Sequence, residues 1–339
     1  MIKRKINNLK NLFLRTNYTN PMKRILSILL LLLLITSCDD GDLTVDVIDF
    51  SEGPIQKCDF KDIFYKVKGA EMMFIEFPST FFTNDQTAGT PTIIPLSSTI
   101  KVTYRRYASE TSDLNICPQA PDATPNLLEQ WQATEGTIEL TSTAVKNTNA
   151  ITGFTTITGY VYNINLKNIV FIKPDGPQIQ SFQFGNFSSP ISPLAFNFDA
   201  AADKSTCSAS DNRIFNFSGS EAFIFDSSNF STLFENAVTA TPRTELISSA
   251  NKLKYILFNN TVTNTYFCGA TVPNTPIPSQ EWNAIDGVEA TSGIIEVETT
   301  TLGASFLHTI HLKRVTLKKG NTDFSLGDDY IFGSFVTTP

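Results

Sequence analysis

Tyr160-Val161-Tyr162-Asn163-Ile164-Asn165-Leu166 carries a large apolar side chain at every second position. A period of two puts Tyr160, Tyr162, Ile164 and Leu166 on one face of a β-strand, whereas a helix would need apolar residues three and four apart. The alternation returns at Ile310 and Leu312 and continues to Val315 and Leu317. Leu253-Lys254-Tyr255-Ile256-Leu257-Phe258 and residues 294–297 and 330–336 are further β-branched and aromatic runs. Turn clusters such as Asn259-Asn260, Lys319-Gly320-Asn321 and Gly327-Asp328 separate them. The one helical stretch expected is residues 125–133, with Thr124 as its cap. The chain therefore reads as all-β, with about six to eight strands in each of two copies, built as sandwiches or barrels.

Two copies are expected because the landmarks recur in order. Cys58, Ile63-Phe64, Gly69 and Glu71 are answered by Cys207, Ile214-Phe215, Gly219 and Glu221. Pro91, Ser97-Ser98, Cys117 and Trp131 are answered by Pro242, Ser248-Ser249, Cys268 and Trp282, all at an offset of 151. Gly136-Thr137-Ile138-Glu139-Leu140 matches Gly293-Ile294-Ile295-Glu296-Val297, and Phe184-Gly185-Asn186-Phe187 matches Phe332-Gly333-Ser334-Phe335. The reading is a tandem pair of homologous β domains, residues 44–190 and 191–339. Ser188-Ser189-Pro190-Ile191-Ser192-Pro193 would be a short, stiff connector between them.

Residues 1–38 hold seven basic side chains and no acid, and residues 25–35 are an apolar run, mostly leucine. The run is shorter than the ~20 residues that span a bilayer, and suits the core of a secretory signal. It ends in Ile35-Thr36-Ser37-Cys38, which resembles a bacterial lipobox, and Asp39-Asp40-Gly41-Asp42 follows. Signal, lipobox and acidic cluster together resemble the surface lipoproteins of Bacteroidota. The resemblance implies a signal peptide over residues 1–37, with Met22 a possible start. It further implies acylation of Cys38, a tether over 38–43, and an outer-membrane, cell-surface location. The bilayer, reached through acylated Cys38, would be one partner. Losing seven of the 26 basic residues leaves 19 against 33 acids, a net charge of −14 with histidines neutral. That charge argues against a nucleic-acid partner.

Four of the five cysteines remain, two per copy. An exported chain favours disulfides, and the repeat selects Cys58–Cys117 and Cys207–Cys268. No close Cys-x-x-Cys spacing suggests a metal, and no cofactor is expected.

The only histidines, His308 and His311, lie three apart, on opposite faces of a strand, and read as surface or rim residues. No nucleophile or phosphate-binding motif appears. Carboxylates alone could serve glycoside chemistry, and Glu71 with Glu139, and Glu221 with Glu296, recur in both copies. Strand-surface glutamates are far commoner, so no catalytic residue is assigned. Trp131 and Trp282, the only tryptophans, are either core plugs or stacking platforms for a ligand. The function expected is a non-catalytic binding lipoprotein with a glycan or protein ligand, tandem modules gaining by avidity. A structural or adhesion spacer is the alternative, and a carboxylate-dependent hydrolase a third.

Overall fold

The computed structural model describes residues 48–199, 207, 212–268, 271 and 273–339. The expected signal, lipobox and tether lie outside those residues. Residues 49–339 form one compact unit, and its architecture is all-β.

In the first copy the strands are β1 (Gln56–Lys57), β2 (Ile63–Lys68), β3 (Glu71–Glu76), β4 (Thr92–Pro95), β5 (Lys101–Tyr107), β6 (Leu127–Thr148), β7 (Thr155–Lys173) and β8 (Gly176–Pro190). Every pairing is antiparallel, in the order β1-β2-β3-β5-β6-β7-β8, with β4 on β6. The last three strands are long because each serves two sheets. The start of β6 pairs β5, while residues 137–140 pair β4, and the β6–β7 register shifts near Glu135 between them. The strands thus bend over and face the sheet they began in, as in a half-open barrel. Phe64 of β2 meets Phe187 of β8 edge-on at 4.9 Å across the interior.

The second copy holds β9 (Arg213–Ser218), β10 (Glu221–Ser227), β11 (Arg243–Leu246), β12 (Asn251–Phe258), β13 (Pro278–Ala284), β14 (Ile294–Leu302), β15 (Ser305–Lys313), β16 (Thr316–Lys319), β17 (Thr322–Ser325) and β18 (Tyr330–Thr337). Its sheets run β9-β10-β12-β13-β16-β17 and β11-β14-β15-β18. This is the order of the first copy, with each long strand cut in two. A loop over residues 285–293 replaces the bend of β6, and Arg314-Val315 that of β7.

Local sequence explains the shared details. Met72, Met73, Phe74 and Ile75 of β3 are all buried, because this central strand is covered on both faces. One face packs with Tyr65, Tyr107 and Ile116 around the Cys58–Cys117 disulfide. Phe215, Ile256, Phe258 and Phe267 repeat that cluster, with Cys207 packed against it and bonded to Cys268. The Phe-Gly pairs mark β-bulges. Pairing with β7 jumps from Gly185 to Gln183, and pairing with β15 jumps from Gly333 to Ile331. Phe184 and Phe332 are the extra residues, and both are buried. The glycines take φ of 130° and 132°, open to residues without a Cβ.

One expectation needs correction here. Residues 127–133 are strand, not helix. Trp131 and Ala133 alternate inward there, and pairing with β5 outweighs local helix signals. The chain is held on both sides of the proline-serine connector. β8 runs through Pro190, and residues 195–198 lie against β10 and β12. The Glu221 carboxylate accepts hydrogen bonds from the backbone N–H groups of Ala195, Phe196 and Asn197, and the Phe196 ring stacks on Tyr255 at 4.5 Å.

The copies are clasped directly. Asp85, between β3 and β4, accepts from the N–H groups of Asn321 and Thr322 and from the Thr322 hydroxyl at 2.6–3.1 Å. Lys146 pairs with Asp323 at 2.7 Å, and Phe154 forms a β-bridge with Leu326. Gly320 is required at the clasp. Its φ is +57°, and a Cβ there would lie 2.0 Å from the Asp85 carboxylate.

Candidate ligand cleft between the copies

A four-residue constellation recurs at matched positions. On adjacent strands, Tyr104 pairs with Trp131 and Tyr255 with Trp282. The Tyr104 hydroxyl donates to Glu71 at 2.6 Å, and Tyr255 donates to Glu221. Burial, reinforced by those carboxylates, pushes both phenols far above the usual tyrosine range, so they act as fixed donors. The Lys173 ammonium lies 4.6 Å from the Trp131 ring, and that of Lys319 lies 5.2 Å from Trp282. Trp131 is 5 % and Trp282 2 % exposed. Of the two readings offered from sequence, this burial fits the core plug, each indole being wedged in its core. Tyr104 stacks on Trp131 at 4.5 Å, and Phe324 meets Trp282 edge-on at 5.0 Å.

The two tryptophans differ in one respect. Trp282 also lines a cavity of about 290 Å³ at the junction of the copies. Phe154 and Tyr160 of the first copy form one side, and Trp282, Phe324, Gln280 and Lys319 of the second form the other, with Phe196, from just after the connector, between. Two sequence differences shape this place. Where the first copy has an Arg106–Glu129 ion pair, the second has Leu257 and Gln280. An apolar side chain and a neutral amide thus replace two charges. Burial lowers the Lys319 pKa, partly opposed by the Asp85 charge. Asp85 itself is held below the usual carboxylate range. Burial acts to raise it, but the donors of Thr322, Asn321 and Gln86 outweigh that.

The remaining candidates are engaged elsewhere. Glu139 pairs with Lys167 at 3.9 Å and Glu296 with Lys313 at 3.4 Å, while Glu71 and Glu221 hold their tyrosines. Among the described residues no group of three His, Cys, Asp or Glu side chains is placed to hold a metal.

His308 is not a rim residue. It shares the inward face with Ile310 and Leu312 and is fully buried. Its ring nitrogens lie 2.8 Å from the hydroxyls of Thr299 and Thr337, which satisfy the imidazole without a charge. His311 points the other way, to Asp329 at 3.0 Å. Burial and the nearby Arg243 charge bring the His308 pKa from 6.5 down to about 4. The folded state thus resists a proton that the unfolded state accepts. Its contribution is complete above pH 6.5 and is lost as pH falls towards 4. Urea melts at pH 7 and pH 5 are expected to differ by about 2 kcal/mol more in the unchanged protein than in His308→Gln. Equal differences in the two proteins would contradict the assignment.

Sequence reasoning missed Lys319 and Gln280 because docking of two distant hairpins makes the cavity. The recurrence of a lysine opposite each tryptophan was the available signal. No helix among the described residues is long and apolar enough to cross a membrane. Compared with known proteins, the chain matches no family model, no curated protein and no solved structure.

Proposed function

We propose that this chain is a lipid-anchored, non-catalytic binding protein of the outer-membrane surface. Its ligand lodges in the cleft between the two copies, and a glycan is the favoured class. The observation that carries the reading is the junction cavity, walled by Phe154, Tyr160, Phe196, Trp282 and Phe324 and edged by Lys319 and Gln280. Ligand sites favour such domain junctions, with apolar walls and a few convergent polar groups. Aromatic faces suit sugar rings, and the amide supplies direction. The test is a glycan array and a pull-down with the soluble form, residues 39–339. Saturable glycan binding supports the reading. Capture of a protein alone, with no glycan signal, supports the spacer or adhesion alternative, which the rigid Asp85 clasp also favours.

The anchor rests on the basic flank, apolar run and Cys38. Two or three acyl chains hold a protein where one does not. Cys38→Ala is expected to move the protein from the detergent phase to the soluble fraction. Unchanged partitioning would refute the lipid anchor.

A further inference from the structure

Three side chains that line the cavity, Lys319, Gln280 and Asn84, have donors to offer a ligand. Among the described residues, no hydrogen-bond or ion-pair acceptor engages the Lys319 ammonium, and its only close contact of that kind is the Trp282 face. Several other lysines are paired: Lys146 with Asp323, Lys254 with Glu281, and Lys313 with Glu296 and Asp329. Asp85, the carboxylate whose charge reaches Lys319, makes its hydrogen bonds to Gln86, Asn321 and Thr322 and none to the ammonium.

Two amides add to this. The Trp282 indole N–H donates to Gln280 Oε1 at 3.1 Å. An indole nitrogen can only donate, so the oxygen is fixed there and the Gln280 NH₂ is left to donate elsewhere. Asn84 Oδ1 likewise accepts from the Tyr162 hydroxyl at 3.3 Å, which leaves its NH₂ as a donor. Both residues line the cavity with Lys319. A half-buried cation and two amide donors call for a ligand rich in acceptors and carrying negative charge. The volume, about 290 Å³, lies at the small end of ligand sites and suits one ring rather than an extended chain.

Building on the cleft reading above, we propose that the cavity takes a single carboxylate-bearing sugar ring. Its carboxylate pairs with Lys319, its hydroxyls accept from Gln280 and Asn84, and its C–H face lies on the aromatic wall. An aromatic acid would satisfy the lysine and the wall but leave both amides unmet.

The two tryptophans make the test direct, because only Trp282 lines the cavity. In the full chain held in detergent, Trp131→Phe leaves Trp282 as the sole indole reporter. Its fluorescence is followed on adding glucuronate, glucose and benzoate, with circular dichroism checking that each variant is folded. Glucuronate is expected to give a saturable change at least about tenfold tighter than glucose or benzoate. Lys319→Gln should remove that advantage, and Lys319→Arg should keep most of it. If glucose binds as well as glucuronate, or Lys319→Gln changes nothing, the acidic-ligand inference falls and the cleft reading stands. If benzoate equals glucuronate, the sugar assignment falls. If none of the three alters Trp282, the inference falls outright, and the cleft reading is judged separately by the glycan array.

Discussion

Glu221→Ala is expected to lower the unfolding free energy by about 4 kcal/mol, the range for breaking a buried, charge-assisted network. The carboxylate receives the Tyr255 hydroxyl and the backbone N–H groups of Ala195, Phe196 and Asn197. Tyr255 is fully buried, so its hydroxyl would be left without water or a partner. The segment just after the connector would also lose its grip, and Phe196 with it. Glu71→Ala is the matched control. Glu71 is half-buried and receives the Tyr104 hydroxyl, with no backbone clamp to lose, so about 1–2 kcal/mol is expected. Denaturant melts of both variants measure the contrast. Equal losses would mean that this segment does not depend on Glu221.

Trp282→Ala and Trp131→Ala are each expected to cost roughly 3–5 kcal/mol, as large-to-small changes in a packed core do. Each indole is buried opposite a buried tyrosine on the neighbouring strand. The two should part in a second readout. Trp282→Ala also opens the cavity wall, whereas Trp131→Ala leaves the cavity lining untouched. Melting with and without glucuronate separates the effects: ligand should still stabilise Trp131→Ala but not Trp282→Ala. A loss below about 1 kcal/mol in either variant would show that the indole is a surface residue, against its burial.

Much of the fold was legible because β structure writes itself locally. The alternation at Tyr160, Tyr162, Ile164 and Leu166 is the burial pattern of β7. Matched cysteines gave the two disulfides, and the matched Phe-Gly pairs fall at matched bulges. His308 shows a signal passed over. It stands two and four residues before Ile310 and Leu312, so the same alternation turns it inward. Polarity suggested the rim, but Thr299 and Thr337 satisfy it inside, from strands that sequence alone does not place beside it. Residues 125–133 erred for the same reason, since helix propensity is local and partners across the sheet are not. The cleft was the least legible part. Asp85 and Thr322 are 237 residues apart, and nothing near either announces their contact.

The claim that a ligand lodges between the copies without being turned over is tested most directly by filling that space. Thr156 lines the cavity and is only half-buried, so Thr156→Trp can occupy it from the rim. The measurement is glycan-array binding by the soluble form, residues 39–339, with and without this substitution. The account predicts saturable binding of intact glycan by the unchanged protein, and loss of that signal in a Thr156→Trp variant that melts normally. Equal binding by the two proteins, or cleavage of the glycan that Glu139→Gln abolishes, would contradict it.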